Sequence, residues 1–213
     1  MNTSAAATHE RVNDWVTQWL DEPAPIAAAR LRAQEVGLSC AAPALGSLLS
    51  NLARLVSART VVETGTGAGV SGLWLLSGMR PGGVLTSIDT EPEHQRLARV
   101  AFTEAGVPSS RARLISGQAL EVLPRLADAG YDLAHLDADP TSYAEQLIAA
   151  RRLVRPGGVV VLSGILRGGR IADPVSRDAD SVALRALLAG LRAEENTTPA
   201  LLPIGDGALV APC

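Results

Sequence analysis

The chain has 213 residues, 47% of them hydrophobic, and a net charge of −3. That is one domain of ordinary size with enough apolar material for a sheet-based core, so disorder is excluded. The mild acidity and the lack of a long basic run exclude an electrostatically driven nucleic-acid binder. No apolar run reaches the length of a membrane span and the start lacks a secretory pattern, so a cytoplasmic protein with no membrane partner is expected.

The first fifty-odd residues read as helical, with no strand signal. Trp15, Trp19 and Leu20 share one face at helical spacing, expected to be core or dimer packing, or else a substrate lid. The alanine-rich start is at most a frayed tail, and His9 falls within it. Leu45, Leu48, Leu49, Leu52, Leu55 and Val56 then form an amphipathic stripe. From residue 60 strands and helices alternate, the pattern of a parallel α/β sheet. Strands are predicted at 60–63, 84–89, 112–116, 132–137 and 158–163, with helices at 70–79, 91–105, 118–127, 142–153 and 177–192. Thr90-Glu91-Pro92-Glu93 and Ser142-Tyr143-Ala144-Glu145 match capping boxes. Residues 201–204 and 208–211 flank Gly205-Asp206-Gly207, a hairpin signature.

The first strand runs into Glu63-Thr64-Gly65-Thr66-Gly67-Ala68-Gly69-Val70-Ser71, the strand–turn–helix setting of a nucleotide-type cofactor loop. Glu63, two residues before the first glycine, would repel a pyrophosphate but attract an ammonium group, directly or through water. That points to S-adenosylmethionine (SAM). Asp89, at the end of the second strand, is placed to accept hydrogen bonds from a ribose, a device shared with NAD-binding proteins. Gln118 follows the third strand, where it or a backbone amide could meet an adenine edge.

The fourth strand delivers His135-Leu136-Asp137-Ala138-Asp139. Two carboxylates at the carboxyl end of a parallel sheet lie where open α/β folds bind ligands. They could hold a metal, orient a hydroxyl or balance a sulfonium. His135 could act as a base, but helices on both faces of such a sheet favour a packed, partnered histidine. His94, on a polar helix, reads as a surface residue. Cys40 and Cys213 form no framework and suit a reducing compartment. There is no lysine: all nineteen basic residues are arginine, which cannot serve as a base.

Together these pieces resemble the catechol/caffeoyl-CoA-type O-methyltransferases of the class I SAM-dependent superfamily, closest to a subgroup of actinobacterial proteins grouped with them. The resemblance covers nearly the whole chain, through the glycine loop, Asp137-Ala138-Asp139, Arg155-Pro156-Gly157-Gly158 and Leu202-Pro203-Ile204-Gly205-Asp206-Gly207. It implies a Rossmann-like seven-stranded sheet of order 3-2-1-4-5-7-6 with strand 7 antiparallel, one domain over 1–213, and a homodimer. Residues 1–57 would then supply lid or dimer contacts.

Carried over by position, the resemblance puts Glu63, Gly65, Thr66, Gly67 and Ser71 around the methionine part of SAM. Asp89 and Thr90 fall on the ribose, Gln118 and Ala119 on the adenine. Ala41 closes over the cofactor and Asp139 contacts it, while Asp137 matches the residue that metal and substrate share. Two departures stand out. Pro140 replaces a lysine near the acceptor, and Ser163-Gly164 replace the Asp-Asn that completes a divalent-metal site. The reading is therefore an O-methyltransferase acting on a small-molecule hydroxyl without a metal. Asp137 would orient or deprotonate the acceptor, and Arg167, with Arg170 beside it, would bind an anionic group on it. A SAM-binding protein with little catalysis is the alternative. An NAD-dependent oxidoreductase is a third reading, opposed by Glu63.

Overall fold

The computed structural model describes residues 3–195 and 198–213, with side chains from residue 11 onward. Three helices lead: α1 (Thr3–Trp19), α2 (Ala24–Glu35) and α3 (Pro43–Leu55). The sheet region follows as β1 (Thr60–Thr64), α4 (Val70–Gly78), β2 (Val84–Asp89), α5 (Pro92–Glu104), β3 (Ala112–Ser116), α6 (Ala119–Val122), β4 (Tyr131–Leu136), α7 (Tyr143–Leu153), β5 (Val154–Ser163), α8 (Ala179–Arg192), β6 (Ala200–Leu202) and β7 (Ala208–Pro212). The strand order is 3-2-1-4-5-7-6. Strands β1 to β5 pair in parallel, and β7 runs antiparallel to both β5 and β6. This is the Rossmann-like sheet that the resemblance implied. No described helix is long and apolar enough to cross a membrane.

Strand alternation explains the two cores. Val61, Leu85, Leu133, Val159 and Val161 face a layer built with Leu45, Leu49, Leu73 and Trp74 from α3 and α4. Their neighbours Val62, Ala134, Leu136, Val160 and Leu162 point the other way, onto Leu147, Leu153 and Leu184 of α7 and α8. Successive side chains of a strand lie on opposite faces, so apolar runs such as Val159-Val160-Val161-Leu162 fill both layers. At roughly 25 cal/mol per Å² of apolar surface, each fully buried leucine or valine contributes about 1.5–3 kcal/mol.

Several local expectations are corrected. Trp15 and Trp19 are 63% and 71% exposed, so they are not core in this chain. The start is helical from Thr3 rather than frayed, and the side chain of His9 lies outside the described residues. Neither capping box forms through its Thr or Ser. The Asp89 carboxylate accepts from Glu91 N–H (2.9 Å), and Asp139 accepts from Thr141 N–H (2.9 Å). The helix expected over 118–127 stops at Val122 and continues as a single 3₁₀ turn, Leu123–Arg125. Pro124 has no N–H to continue an α-helical ladder. β5 begins at Val154, earlier than expected, through an irregularity opposite Tyr131/Leu133 that absorbs Pro156 and Gly157. β6 is only three residues long and ends before Pro203.

Candidate active site

The order reversal between β1 and β4 opens a crevice at the carboxyl end of the sheet, the usual ligand position in open α/β folds. A cleft of about 290 Å³ lies there. Its walls come from the bends after β1, β2, β3 and β4, and from residues 38–41 between α2 and α3.

The bend after β1 is shaped by what it touches. Gly65 has φ +88°, and a Cβ there would sit 2.0 Å from the Asp137 carbonyl oxygen, so only glycine fits. Gly65 N–H donates to Ile88 O (2.8 Å) and Asp137 N–H to Thr64 O (2.8 Å), which ties together the ends of β1, β2 and β4. Gly69 (φ +85°) is the N-cap of α4, close against Ala98.

On the β2 side, Asp89 is fixed before any ligand arrives. Its carboxylate accepts from Gly67 N–H (3.0 Å) and Glu91 N–H (2.9 Å), and His94 Nδ1 lies 3.3 Å from both oxygens. Gln95 secures the same strand ends by donating to Ile115 O (2.6 Å).

Beneath the bend runs a buried polar row across four strands. The pairings Glu63↔Ser87 and Glu63↔His135 put the three side chains on one face. Ser87 Oγ donates to Glu63 Oε2 (2.7 Å), so its proton is committed and Thr66 Oγ1 donates to Ser87 Oγ (2.8 Å). His135 Nδ1 lies 3.1 Å from Glu63 Oε1, and its Nε2 lies 2.7 Å from Ser163 Oγ. Burial alone would lower the imidazole's pKa. The Glu63 hydrogen bond, with the charges of Asp137 and Glu63, outweighs it and raises the pKa above its ordinary value. Asp137 moves the same way: burial raises its carboxyl above the usual range and His135 opposes, while Glu63 and Asp206 push it further up.

Of the residues expected in the site, Ala41, Gly65, Thr66, Gly67, Ser71, Asp89, Thr90, Ala119, Asp137 and Asp139 line the cleft. Three do not. Glu63 is fully buried under the bend, engaged by Ser87 and His135. Gln118 is the N-cap of α6, where its neighbours Gly117 and Ala119 reach the cleft. Arg167 stands in the loop after β5 and pairs with Asp180 (2.5 Å). His94 is instead a cleft residue. Its position in the first turn of α5, five residues past Asp89, is the signal that could have placed it. Cys40 also lines the cleft, where Arg30 Nη1 donates to its sulfur (3.2 Å) and burial raises the thiol pKa.

The divalent ion implied by the resemblance does not fit this donor set. Ser163 Oγ is taken by His135, and Gly164 offers no side chain. Among the described residues no three His, Cys, Asp or Glu side chains gather as ligands. Magnesium asks for near-octahedral oxygen donors, and Asp137 alone would hold it poorly.

Comparison with known proteins converges on one family. The sequence model of a family described as O-methyltransferase matches residues 29–212. A Mycobacterium tuberculosis protein named "Probable O-methyltransferase Rv1220c" is 54% identical over 192 residues, covering 90% of this chain and 86% of that one. A solved Corynebacterium glutamicum protein superposes with a TM-score of 0.89 at 34% identity, over 96% of each chain. The O-methyltransferase TomG of Streptomyces achromogenes, involved in tomaymycin synthesis and solved in complex with SAM, gives a TM-score of 0.84 at 30% identity. That match spans 94% of this chain and 95% of TomG.

Proposed function

Because this chain belongs to the O-methyltransferase family, we propose that it moves a methyl group from SAM to a hydroxyl of a small-molecule acceptor, without a divalent metal. The observation that carries the reading is the pre-set Asp89 carboxylate facing a cleft whose opposite wall is Asp137. A carboxylate fixed by two backbone N–H groups keeps acceptor capacity for a ribose, and it needs no rearrangement to offer it.

The cleft suits the cofactor along its length. Gly65, Thr66, Gly67 and Ser71 would hold the methionine portion, with Asp139 and Ala41 beside it. Asp89 and Thr90 would take the ribose, and Ala119 with the adjoining Gln118 backbone the adenine. Glu63 supports this from below: its charge is buried under the bend, and Ser87 and Thr66 carry its hold into the cleft wall. When bound, SAM supplies a methyl carbon whose bond to sulfur breaks, the electron pair staying on sulfur, as the acceptor oxygen bonds to it.

The chain's own contribution is orientation and proton removal. Holding the acceptor oxygen in line with the methyl turns a bimolecular encounter into a positioned one. Asp137 takes the hydroxyl proton, and its raised pKa brings it closer to a hydroxyl's than an ordinary carboxylate's. Ser163 and Gly164, which cannot complete a metal site, support a route that uses no ion. The reading includes a homodimer, for which the exposed edge of Val12, Trp15 and Trp19 on α1 offers an apolar face.

The test is label transfer from methyl-labelled SAM to a panel of hydroxyl acceptors, with and without EDTA. Transfer that EDTA leaves unchanged supports the reading, and transfer that it abolishes refutes the metal-free part. Tight binding of S-adenosylhomocysteine with no transfer to any acceptor favours a binding protein over an enzyme.

A further inference from the structure

Three features meet at Arg167. Its backbone is left-handed, φ +48°, in a loop where Gly164 (+68°), Gly168 (+62°) and Gly169 (+86°) already provide the glycine-type turns. A non-glycine residue in that region persists where its surroundings hold it there, often at ligand sites. Its Nη2 donates to Asp180 Oδ2 (2.5 Å), yet its Nε is buried with no hydrogen-bond partner among the described residues. Outside Gly164 and its chain neighbours, Arg167 Nη1 is the nearest heavy atom to the point where a Cβ on Gly164 would stand, at 4.0 Å. The guanidinium thus lies beside a backbone position that carries no side chain.

That position adjoins the proposed methyl-transfer site. Leu136 pairs with Leu162, so Asp137 leaves the sheet beside Ser163, the last residue of β5, with Gly164 next. Tyr143, whose hydroxyl donates to Ser163 O (3.0 Å), is within electrostatic reach of both Asp137 and Arg167. A pair with Asp180 that only fastened the loop would not need the left-handed backbone.

We propose that the acceptor is a hydroxy acid whose carboxylate is received by Arg167 across Gly164 while its hydroxyl meets Asp137. This rests on the methyl-transfer reading for what happens at the hydroxyl, but not for binding of the carboxylate. Guanidinium–carboxylate recognition is directional and strong where water is partly excluded. Asp180 already pairs with the guanidinium, so an incoming group takes the place of one carboxylate. A single negative charge is therefore better matched to it than the double charge of a phosphate ester.

The test uses the full chain with hydroxybenzoates and their carboxamides, observed by ligand NMR, with and without S-adenosylhomocysteine. The acids should bind at least tenfold more tightly than the amides. Arg167→Gln should erase that preference, and Arg167→Lys should keep part of it. Asp180→Asn, which frees the guanidinium from its competing carboxylate, should tighten the acids several-fold and leave the amides unchanged. Equal binding of acid and amide, binding of neither, or a preference that survives Arg167→Gln overturns the proposal. Calorimetry with S-adenosylhomocysteine, read separately, reports on the cofactor reading, so either idea can fail while the other stands.

Discussion

On the β1–β2 side of the cleft, the Asp89 carboxylate is held by two backbone N–H groups with His94 alongside, and Thr66 is tied through Ser87 to Glu63. On the β4–β5 side, Gly164 has no side chain, Ser163 is turned toward His135, and Arg167 carries a left-handed backbone and a stranded Nε. The first half is finished before a ligand arrives, and the second keeps polar capacity in reserve. A cofactor that is the same throughout a family calls for a fixed cradle, since pre-organisation reduces the cost of binding. An acceptor that differs from one member to the next is accommodated on loops, which vary while the sheet beneath them stays.

The sharpest way to separate the halves is Asp137→Asn. If Asp137 acts on the acceptor alone, transfer should fall by about 10²–10⁴-fold, the usual yield of a general base. S-adenosylhomocysteine affinity, read by calorimetry, should stay within a few-fold. The sign of the pH dependence follows from the raised carboxyl: the base forms only as pH rises through that elevated value. Wild-type rate should therefore climb over a range above about 3.9, the unperturbed aspartate value, and the variant should lack that limb. Equal loss of cofactor binding and rate would erase the distinction between the two sides.

Next in size is His135→Leu, which cuts the row running under both halves. Glu63 would be left buried without its imidazole partner, a change worth about 3–5 kcal/mol. The imidazole's folded pKa is raised, so its stabilisation is fully present below about 6.5, its unfolded value, and fades as pH climbs through the folded one. Melting temperature should fall with pH across that window in the wild type. It should be flatter there in the variant. No change in either quantity would mean the row is incidental.

How much of this was legible in the residues divides along the same line. Strand order and the glycine bend follow from alternating apolar runs and from spacing, which are local properties. The distance from Gly65 to Asp89 is set by one helix and one strand, so the ribose-side carboxylate could be read directly. Glu63 was legible as a carboxylate at the end of β1, expected to meet the cofactor's ammonium, but not as His135's partner, because that contact joins β1 to β4 across 72 positions. Arg167 could be suspected, whereas its left-handed φ and its neighbour Asp180 depend on how the loop after β5 folds back. His94 was misjudged because a polar helix face conceals the first turn, where a side chain can reach back to the preceding strand end. The exposed tryptophans of α1 show the converse: helical spacing identifies an apolar face without saying what covers it, and of the core and dimer readings their exposure removes only the core.

Asp89→Asn should weaken S-adenosylhomocysteine by about 10- to 100-fold, since a hydrogen bond to a charged group is worth roughly 1.5–3 kcal/mol. Transfer at saturating cofactor should change far less. His94→Ala is the finest probe of the finished half. Gly67 N–H and Glu91 N–H would still hold the carboxylate, at 3.0 and 2.9 Å, so the ribose-facing geometry has two anchors without the imidazole. His94 adds only long contacts of 3.3 Å from a ring that is partly solvent-exposed, and such partners contribute about 0–1 kcal/mol. Cofactor affinity should drop no more than about fivefold, with acceptor affinity untouched. A tenfold or larger loss would mean that the backbone donors alone do not set Asp89, and that the imidazole meets the cofactor itself. A null result would place the whole of the pre-organisation in the bend, where Gly65 and the N–H groups around it are fixed by the meeting of β1, β2 and β4.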